Sequence, residues 1–199
     1  MIFIIRKFLG QTAANLMFYG GRLYCKMKGV RYGNNLRTIG IPIIFRHKEA
    51  SIILEDNIVL NSSRKFNLAG INHPVILAAV KKNSRIHIGS GTGMSGAVIH
   101  ARTLIQIGRY VNIGANAKVY DHDFHSLDYQ ERRADLLDNI KSAPISIEDD
   151  VWIGADSLIL KGVKIGRGAI IGAKSVVTKD IPAFTIWAGN PAKFIRDIS

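Results

Sequence analysis

Aliphatic residues recur at every sixth position in the C-terminal part of the chain. The series is Ile147, Ile153, Ile159, Ile165, Ile171 and Val177. Four residues after each member stands a second set, mostly small or β-branched: Val151, Ser157, Val163, Ala169, Ser175 and Ile181. This period fits neither an α-helix, with about 3.6 residues per turn, nor a simple alternating strand. It predicts a triangular coil in which each hexapeptide supplies one short strand and one corner.

Coils of this kind stack in parallel, so the aliphatic residues would fill a narrow prism and the small residues its tightest parts. Glycine follows the aliphatic residue in several copies, as at Gly154, Gly166 and Gly172. It suits a tight corner, including one that needs a positive φ. Ordinary strands joined by glycine turns are the alternative, but six consecutive matches at one period argue against them.

The pattern continues upstream with less regularity. Ile107, Ile113 and Val119 form a second run, and Ile88 and Met94 extend it backward, out of phase by an extra residue. Leu54, Ile58 and Leu60 indicate a degraded earlier coil. We therefore expect a β-helix domain over residues 51–199, preceded by an N-terminal basic helical cap segment over residues 1–50.

The repeat stops once, between Val119 and Ile145. Residues 120–142 are polar, charged and aromatic, and they lack the Ile-Gly steps of the coils. A solenoid that loops out at one corner commonly does so on its binding face. This protruding loop is the predicted active-site loop.

The N-terminal segment allows two interpretations. Residues 1–5 are apolar, but five residues cannot span a bilayer core of about 30 Å. Residues 3–28 are typical of one or two amphipathic helices, with an apolar side formed by Phe8, Leu9, Leu16, Met17 and Leu23. They would cap the end of the domain or lie on the inner face of a membrane.

Charge favours an anionic partner. The chain carries a formal net charge of +12, and residues 1–50 hold nine basic residues against Glu49 alone. No nucleic-acid recognition motif or aromatic stacking platform is present, so nucleic acid is excluded in favour of an anionic cofactor or membrane. Cys25 has no partner for an intrachain disulfide, and no zinc-finger spacing occurs. We expect a cytoplasmic protein, peripheral to the inner membrane if the N-terminus binds lipid.

Three segments carry a family resemblance: residues 145–154 (ISIEDDVWIG), the repeats through residues 177–182 (VTKDIP), and residues 188–196 (AGNPAKFIR). They resemble the hexapeptide-repeat acyltransferases, in the branch of galactoside and maltose acetyltransferases and surface-polysaccharide O-acetyltransferases. The resemblance covers residues 86–199 well and residues 1–85 poorly. It implies a mainly β, left-handed parallel β-helix with a short C-terminal extension. It also implies a homotrimer that uses acetyl-CoA.

The same resemblance implies a catalytic histidine just after the last upstream coil, which is His122; His125 is the second choice. Histidine suits a general base because its ordinary pKa of about 6.5 lies near operating pH. Either Asp121 or Asp123 would orient the ring, and we favour Asp123. Alternatively, neither histidine is catalytic and the carboxylates are solvated loop residues. Cys25 lies too far away in sequence for a covalent intermediate.

For acetyl-CoA, the matching positions are Ala155, Ala173, Thr178, Lys179, Lys193 and Arg196. The two alanines are one coil apart, so they would stack as a track for the pantetheine arm, and the cations would hold phosphates. For the acceptor, the matches are Trp152, as a wall of the site, and Ser95. Corner packing and an ordinary solvated surface are the competing interpretations.

The expected reaction is transfer of an acetyl group from acetyl-CoA to a sugar hydroxyl, in surface polysaccharide biosynthesis. The N-terminal segment that is usual in acetyltransferases of small sugars is not recognisable here, which favours a larger or lipid-linked glycan as the acceptor. Alternatives are N-acetylation of an amino sugar or amino acid, a non-catalytic β-helix scaffold, and a metalloenzyme like the γ-class carbonic anhydrases. We expect no metal, because the three-histidine pattern of the last class is not identifiable.

Overall fold

The computed structural model describes residues 19–198 and shows a left-handed parallel β-helix. Phe8, Leu9, Leu16 and Met17, expected on the apolar side of an N-terminal helix, lie outside the described residues. Helix α1 includes residues 19–27 of the described range. A second helix, α2, spans Tyr129–Arg133.

Three sheets form the walls of the prism. Sheet A contains β1 (Arg31–Tyr32), β4 (Ser51–Leu54), β7 (Arg85–Ile88), β10 (Leu104–Ile107), β13 (Ile145–Ile147) and β16 (Lys164–Ile165). Sheet B contains β2 (Arg37–Ile39), β5 (Val59–Asn61), β8 (Gly93–Ser95), β11 (Asn112–Ile113), β14 (Trp152–Ile153), β17 (Ile170–Ile171), β19 (Thr185–Ala188) and β20 (Lys193–Asp197). Sheet C contains β3 (Ile43–Arg46), β6 (Ile76–Ala79), β9 (Val98–Ala101), β12 (Lys118–Tyr120), β15 (Leu158–Ile159) and β18 (Val176–Val177).

The strands pair in parallel from coil to coil, except that β20 runs antiparallel to β19. One complete coil visits sheets A, B and C in turn, so the chain turns at A–B, B–C and C–A corners. In the regular part, Ser146 pairs with Lys164 and Trp152 with Ile170, each eighteen residues on. The predicted period of six and its three-walled coil are confirmed.

The core is the interior of the prism. All twelve residues of the two six-residue series are buried, with exposed fractions of 0–3%. Leu54, Ile58 and Leu60 are buried in the same core, which confirms the degraded earlier coil. Because each inward residue packs on those above and below it, the coils stabilise one another by nearest-neighbour burial of apolar surface.

The boundary expected at residue 50 differs from the structure. Strands β1–β3, within residues 31–46, form a complete first coil that pairs with β4–β6. Only the part before this coil is helical, and in α1 the side chain of Cys25 is fully buried in the core. The first coil keeps the six-residue step at positions 32, 38 and 44, but it escaped the sequence pattern because Tyr32 and Thr38 stand where later coils carry an aliphatic residue.

A second loop interrupts the coils, between β5 and β6 at residues 62–75, where the sequence pattern had predicted only one interruption. Its backbone packs on the next corners: Asn72 N donates to Asn116 Oδ1 at 2.8 Å, and a Cβ on Gly96 would lie 2.8 Å from His73 O. This loop leaves from the B–C corner. The predicted loop leaves from the C–A corner, between β12 and β13 at residues 121–144.

The repeat glycines act through close approach of neighbouring coils, rather than through a positive φ. A Cβ on Gly154 would lie 2.5 Å from the backbone N of Ala173, which no real side chain tolerates. The positive φ values occur further along each corner. At the A–B corners they belong to Asn35, Asn57, Gly91, Tyr110, Asp150, Gly168 and Phe184.

Candidate active site

The loop of residues 121–144 is fastened where it leaves the coil. Ala143 N donates to Asp121 O at 2.8 Å, and Asp123 N donates to Lys141 O at 2.9 Å. His122 and Ser142 form an antiparallel bridge between these two bonds. This short two-stranded base fixes the backbone on both sides of His122.

Further out, α2 stabilises the loop. The Asp128 carboxylate caps α2 by accepting from Gln130 N at 2.7 Å and Glu131 N at 3.1 Å. Glu131 accepts in turn from the side chains of Ser126 and Asn139. The loop thus carries its own internal hydrogen bonds although it contributes little to the core.

His122 is buried, and its imidazole is held by Asp121. Nδ1 of His122 lies 2.9 Å from Asp121 Oδ1. The carboxylate also accepts from Arg102 N at 2.7 Å and from the backbone N and Oγ1 of Thr103, each at 2.7 Å. Burial raises the pKa of Asp121, but these hydrogen bonds outweigh it and hold that pKa below its ordinary value. Asp121 is therefore an anion that accepts from Nδ1–H, which leaves Nε2 as the proton acceptor.

The carboxylate that contacts the His122 imidazole is that of Asp121, whereas the sequence had favoured Asp123 for this contact. Asp123 Oδ1 accepts from Lys161 Nζ at 2.5 Å instead. The two aspartates flank one histidine, so their spacing in the sequence is equivalent. The chain bends at Asp121 as it leaves β12, so Asp121 packs beneath the corner whereas Asp123 reaches Lys161, which follows β15.

His100 is a neighbour of the site that the sequence did not single out. Its β9 position pairs with Tyr120 on β12, and its ring centroid lies 4.9 Å from that of His122. Burial lowers the pKa of His100, and the neighbouring His122 adds to this effect. Phe124 covers both imidazoles, at centroid distances of 4.8 Å from His122 and 5.2 Å from His100. Only the register between β9 and β12 brings these rings together.

His125, the second candidate base, is exposed on the loop. Within residues 19–198 it makes no hydrogen bond, ion pair or ring contact, so nothing orients its imidazole. Of these two candidate histidines, His122 is the one whose imidazole is held by a hydrogen bond.

The residues expected to bind CoA lie at two corners and one strand. Ala155 and Ala173 follow β14 and β17 at the B–C corner, and Lys174 N donates to Ala155 O at 2.8 Å across the coils. The expected stacking of the two alanines is present. Thr178 and Lys179 are exposed at the C–A corner after β18, two coils beyond His122. Lys193 and Arg196 are exposed on β20 at the edge of sheet B.

Trp152 and Ser95 both lie on sheet B, which separates them from His122. Trp152 points outward with 54% of its surface exposed, next to Asn112 and Ile170 in register. Ser95 ends β8 and is half-buried. In the part of the chain that the structure describes, neither side chain contacts His122.

Two other properties of the described chain bear on the alternatives. Across residues 19–198, no three or more His, Cys, Asp or Glu side chains are grouped so that they could hold a metal ion. Over the same range, no helix has the length and apolar character to cross a membrane. Cys25 lies at the opposite end of the prism from the repeats that follow His122. Its burial raises the pKa of the thiol to about 11.

Comparison with known families finds a match to the bacterial transferase hexapeptide family (six repeats) over residues 144–179. These residues begin at the return of the loop and include β13–β18.

Among curated proteins, the chain is 40% identical over 92 residues to 2,3,4,5-tetrahydropyridine-2,6-dicarboxylate N-acetyltransferase of Staphylococcus aureus. The match includes 46% of this chain and 33% of the relative, so the chain spans about a third of that protein's length.

Two solved structures are also similar. A hexapeptide-repeat acetyltransferase from Vibrio cholerae, complexed with acetyl coenzyme A, is 39% identical with a TM-score of 0.53, over 57% of this chain and 61% of that one. A maltose O-acetyltransferase from Clostridium difficile is 28% identical with a TM-score of 0.52, over 79% of this chain and 71% of that one. The chain therefore contains hexapeptide repeats and is similar to hexapeptide-repeat acetyltransferases, and its six-residue ladder and three parallel sheets form a left-handed β-helix.

Proposed function

We propose that this protein is an acetyltransferase that moves an acetyl group from acetyl-CoA to a hydroxyl of a sugar. The observation that supports the proposal most directly is the buried pair of His122 and Asp121, held at the base of the loop with a 2.9 Å hydrogen bond. The similar V. cholerae structure contains acetyl coenzyme A, and the similar C. difficile protein is a maltose O-acetyltransferase.

In the proposed reaction, His122 is the general base. Its Nε2 takes the proton of the acceptor hydroxyl as the oxygen attacks the thioester carbonyl carbon. The carbon–oxygen bond forms, and the negative charge passes to the carbonyl oxygen. When that tetrahedral adduct collapses, the carbon–sulfur bond breaks, and the CoA thiolate takes the proton back from Nε2. Asp121 stabilises the imidazolium between the two transfers, since it is an anion hydrogen-bonded to Nδ1.

Acetyl-CoA is proposed to lie along the outside of the later coils. The stacked backbone at Ala155 and Ala173 offers a flat surface for the pantetheine arm. Thr178, Lys179, Lys193 and Arg196 are exposed, and the three cations among them suit the phosphates of CoA.

A homotrimer is proposed because one chain leaves the site incomplete. Trp152 is exposed on sheet B, away from the corner that carries His122. Between neighbouring subunits, the Trp152 of one chain would form a wall beside the His122 of the next, and Ser95 would contact the acceptor. A cyclic trimer of identical interfaces satisfies this arrangement.

Transfer to an amine is the second candidate, since the S. aureus relative is an N-acetyltransferase. The hydroxyl is favoured because an alcohol is a weak nucleophile until its proton begins to leave. A base as firmly oriented as His122 therefore contributes more to hydroxyl attack than to attack by a free amine.

A cytoplasmic location at the inner membrane is proposed for the N-terminal region. In α1, the side chains of Tyr19, Leu23 and Met27 recur every four residues and are exposed by 66%, 49% and 77%. Lys26 and Lys28 lie beside them. An apolar stripe flanked by cations is suited to an anionic lipid surface, which would place a lipid-linked glycan of surface polysaccharide synthesis within reach.

The proposal is tested by incubating the purified protein with acetyl-CoA and a panel of neutral sugars, oligosaccharides and amino sugars. Thiol release and product mass would be measured for each acceptor. An O-acetyl ester is cleaved by mild alkali, whereas an N-acetyl amide is not, so alkali treatment separates the two candidates. Release of CoA with an alkali-labile sugar product is expected. Absence of both turnover and CoA binding across the panel would instead favour a scaffold role.

A further inference from the structure

A basic groove lies around the corner from the imidazole of His122. It has a volume of about 470 Å³. The C–A corners after β6 and β9 form its floor, and the returning strand of the loop, through Ile140 and Ser142, forms one wall. The groove therefore exists only because the loop folds back across these two corners.

The lining is strongly cationic. Lys81, Lys82, Arg85 and Arg102 contribute positive charge, against the single carboxylate of Asp138. Lys82 pairs with Glu49 at 2.8 Å. Lys81, Arg85 and Arg102 form no ion pair within residues 19–198, although Arg102 Nη2 donates to the backbone O of Leu137 on the loop. No carboxylate therefore neutralises these three cations directly.

The groove and the candidate base share the same support. Arg102 and Thr103 line the groove, and their backbone amides are the donors that hold Asp121, each at 2.7 Å. Ser142 lines the groove and bridges to His122. A ligand seated there is thus positioned relative to the His122–Asp121 pair by rigid backbone rather than by a flexible segment.

We propose that this groove binds a phosphate or diphosphate group carried by the acceptor, so that the substrate class is a phosphorylated sugar or glycan. This inference rests on the proposed function for the transfer step. Guanidinium and ammonium groups converging in a groove suit a multiply charged phosphate, because charge-assisted hydrogen bonds to phosphate are strong and directional. A neutral sugar would leave the positive charges of Lys81, Arg85 and Arg102 opposed only by the carboxylate of Asp138 among the groove residues.

The same phosphate chemistry occurs in CoA, so the test separates the two sources. Calorimetry measures the binding of inorganic pyrophosphate and, separately, of CoA to the wild-type protein and to the double variant Lys81→Gln/Arg85→Gln. Both side chains are exposed and take no part in holding Asp121. A matched double variant, Arg31→Gln/Arg109→Gln, removes the same charge elsewhere, and circular dichroism verifies the fold of each protein.

The groove variant is expected to bind pyrophosphate about tenfold more weakly or worse, while its affinity for CoA stays within about twofold. Asp138→Asn is expected to tighten pyrophosphate binding, because it removes the one opposing charge. The charge-matched control should bind pyrophosphate like the wild type.

Equal losses of pyrophosphate and CoA affinity would overturn the proposal, because they would show that the groove binds the phosphates of CoA. An unchanged pyrophosphate affinity in the groove variant would overturn it by showing no anion site there. Either outcome is independent of the acetyl-transfer assay, which alone decides the proposed function.

Discussion

Asp121 and His122 are consecutive residues whose side chains meet, with Nδ1 of the imidazole 2.9 Å from Oδ1 of the carboxylate. Neighbours in an extended strand point to opposite faces, so this contact depends on the turn that the chain makes as it leaves β12. The carboxylate is fully buried and accepts from the backbone of the preceding coil. The orientation of the ring is thereby anchored to the β-helix and not to the loop.

Replacing His122 with Ala should remove the proposed turnover by a factor on the order of 10² or more, because the variant lacks the proposed proton acceptor, Nε2. CoA affinity should stay nearly unchanged. Steady-state rates and CoA calorimetry check this. His125→Ala is the matched control and should retain most activity; if it were the more damaging change, the base would be His125.

Asp121→Asn should lower both activity and stability. The new amide group can no longer accept all four hydrogen bonds, so a buried donor loses its partner at a cost of about 1–3 kcal/mol in the free energy of unfolding. Denaturant melts and rates measure the two effects. Asp123→Asn, which alters the pair with Lys161, is the comparison. Equal loss of activity in both variants would contradict the assignment of Asp121.

Gly154→Ala should destabilise the protein by about 1–3 kcal/mol, since its Cβ would lie 2.5 Å from the backbone N of Ala173. The neighbour is backbone in a close-packed coil, so it cannot move aside freely. Thermal unfolding measures the effect. Gly20→Ala is the control: nothing lies within 4 Å of the added Cβ in α1, and alanine favours the helix. A stable Gly154→Ala protein would contradict the close stacking.

The free energy of unfolding should fall as the pH drops below about 6.5. The pKa of His100 lies below its ordinary value of 6.5, chiefly through burial, with His122 adding to the effect and Asp121 opposing it. Just below pH 6.5, His100 therefore binds a proton more readily in the unfolded chain than in the folded protein, so a falling pH favours unfolding. Near and below pH 3.8 the stability falls further, because the pKa of Asp121 is lowered in the folded protein and the unfolded chain again binds the proton more readily.

Urea melts across this pH range, with His100→Gln as the variant, isolate the first effect. The variant should lose part of the decline that begins near pH 6.5 and keep the loss at lower pH. An identical pH profile in the variant would show that the burial of His100 is not its cause.

Cys25 should react slowly with thiol reagents at pH 8 in the folded protein. Its pKa is raised to about 11 by burial, so almost no thiolate is present, and its exposed surface is nil. The rate should approach that of a free thiol only in denaturant, as absorbance with a disulfide reagent measures. Fast labelling with loss of acetyl transfer would revive a covalent cysteine mechanism.

The sequence predicts the regular coils well because burial there depends on a strict period. Ile147 and Ile165 are eighteen residues apart and pair in register, so one spacing determines both the strand and its inward direction. The first coil is not evident from the sequence because two of its inward positions are occupied by Tyr32 and Thr38 instead of aliphatic residues. The loop of residues 62–75 could have been suspected, since it carries Gly70 and Pro74 and lacks the repeat, but nothing in its sequence gives its contact with Asn116.

The candidate site was predictable in part for a similar reason. His122 stands out because it follows a coil and belongs to a polar segment. The choice between Asp121 and Asp123 depends on backbone direction, and the approach of His100 depends on the register of β9 with β12. The backbone direction and the strand register are both set by contacts between coils, and the pattern of neighbouring residues in the sequence does not predict such contacts. The basic groove combines residues about 60 positions apart, from Lys81 to Ser142, and it too arises only on folding.

The polypeptide leaves the prism at Asp121 and re-enters it at Ala143, two residues joined by a 2.8 Å hydrogen bond. Because this bond closes the base of the loop, the stacking of the coils does not depend on the number of residues in the loop. Lengthening, shortening or exchanging residues 124–140, beyond the bridge of His122 with Ser142, would therefore alter which molecules can approach the imidazole without disturbing the coils beneath it. In such a protein, the range of substrates and the thermal stability can change independently.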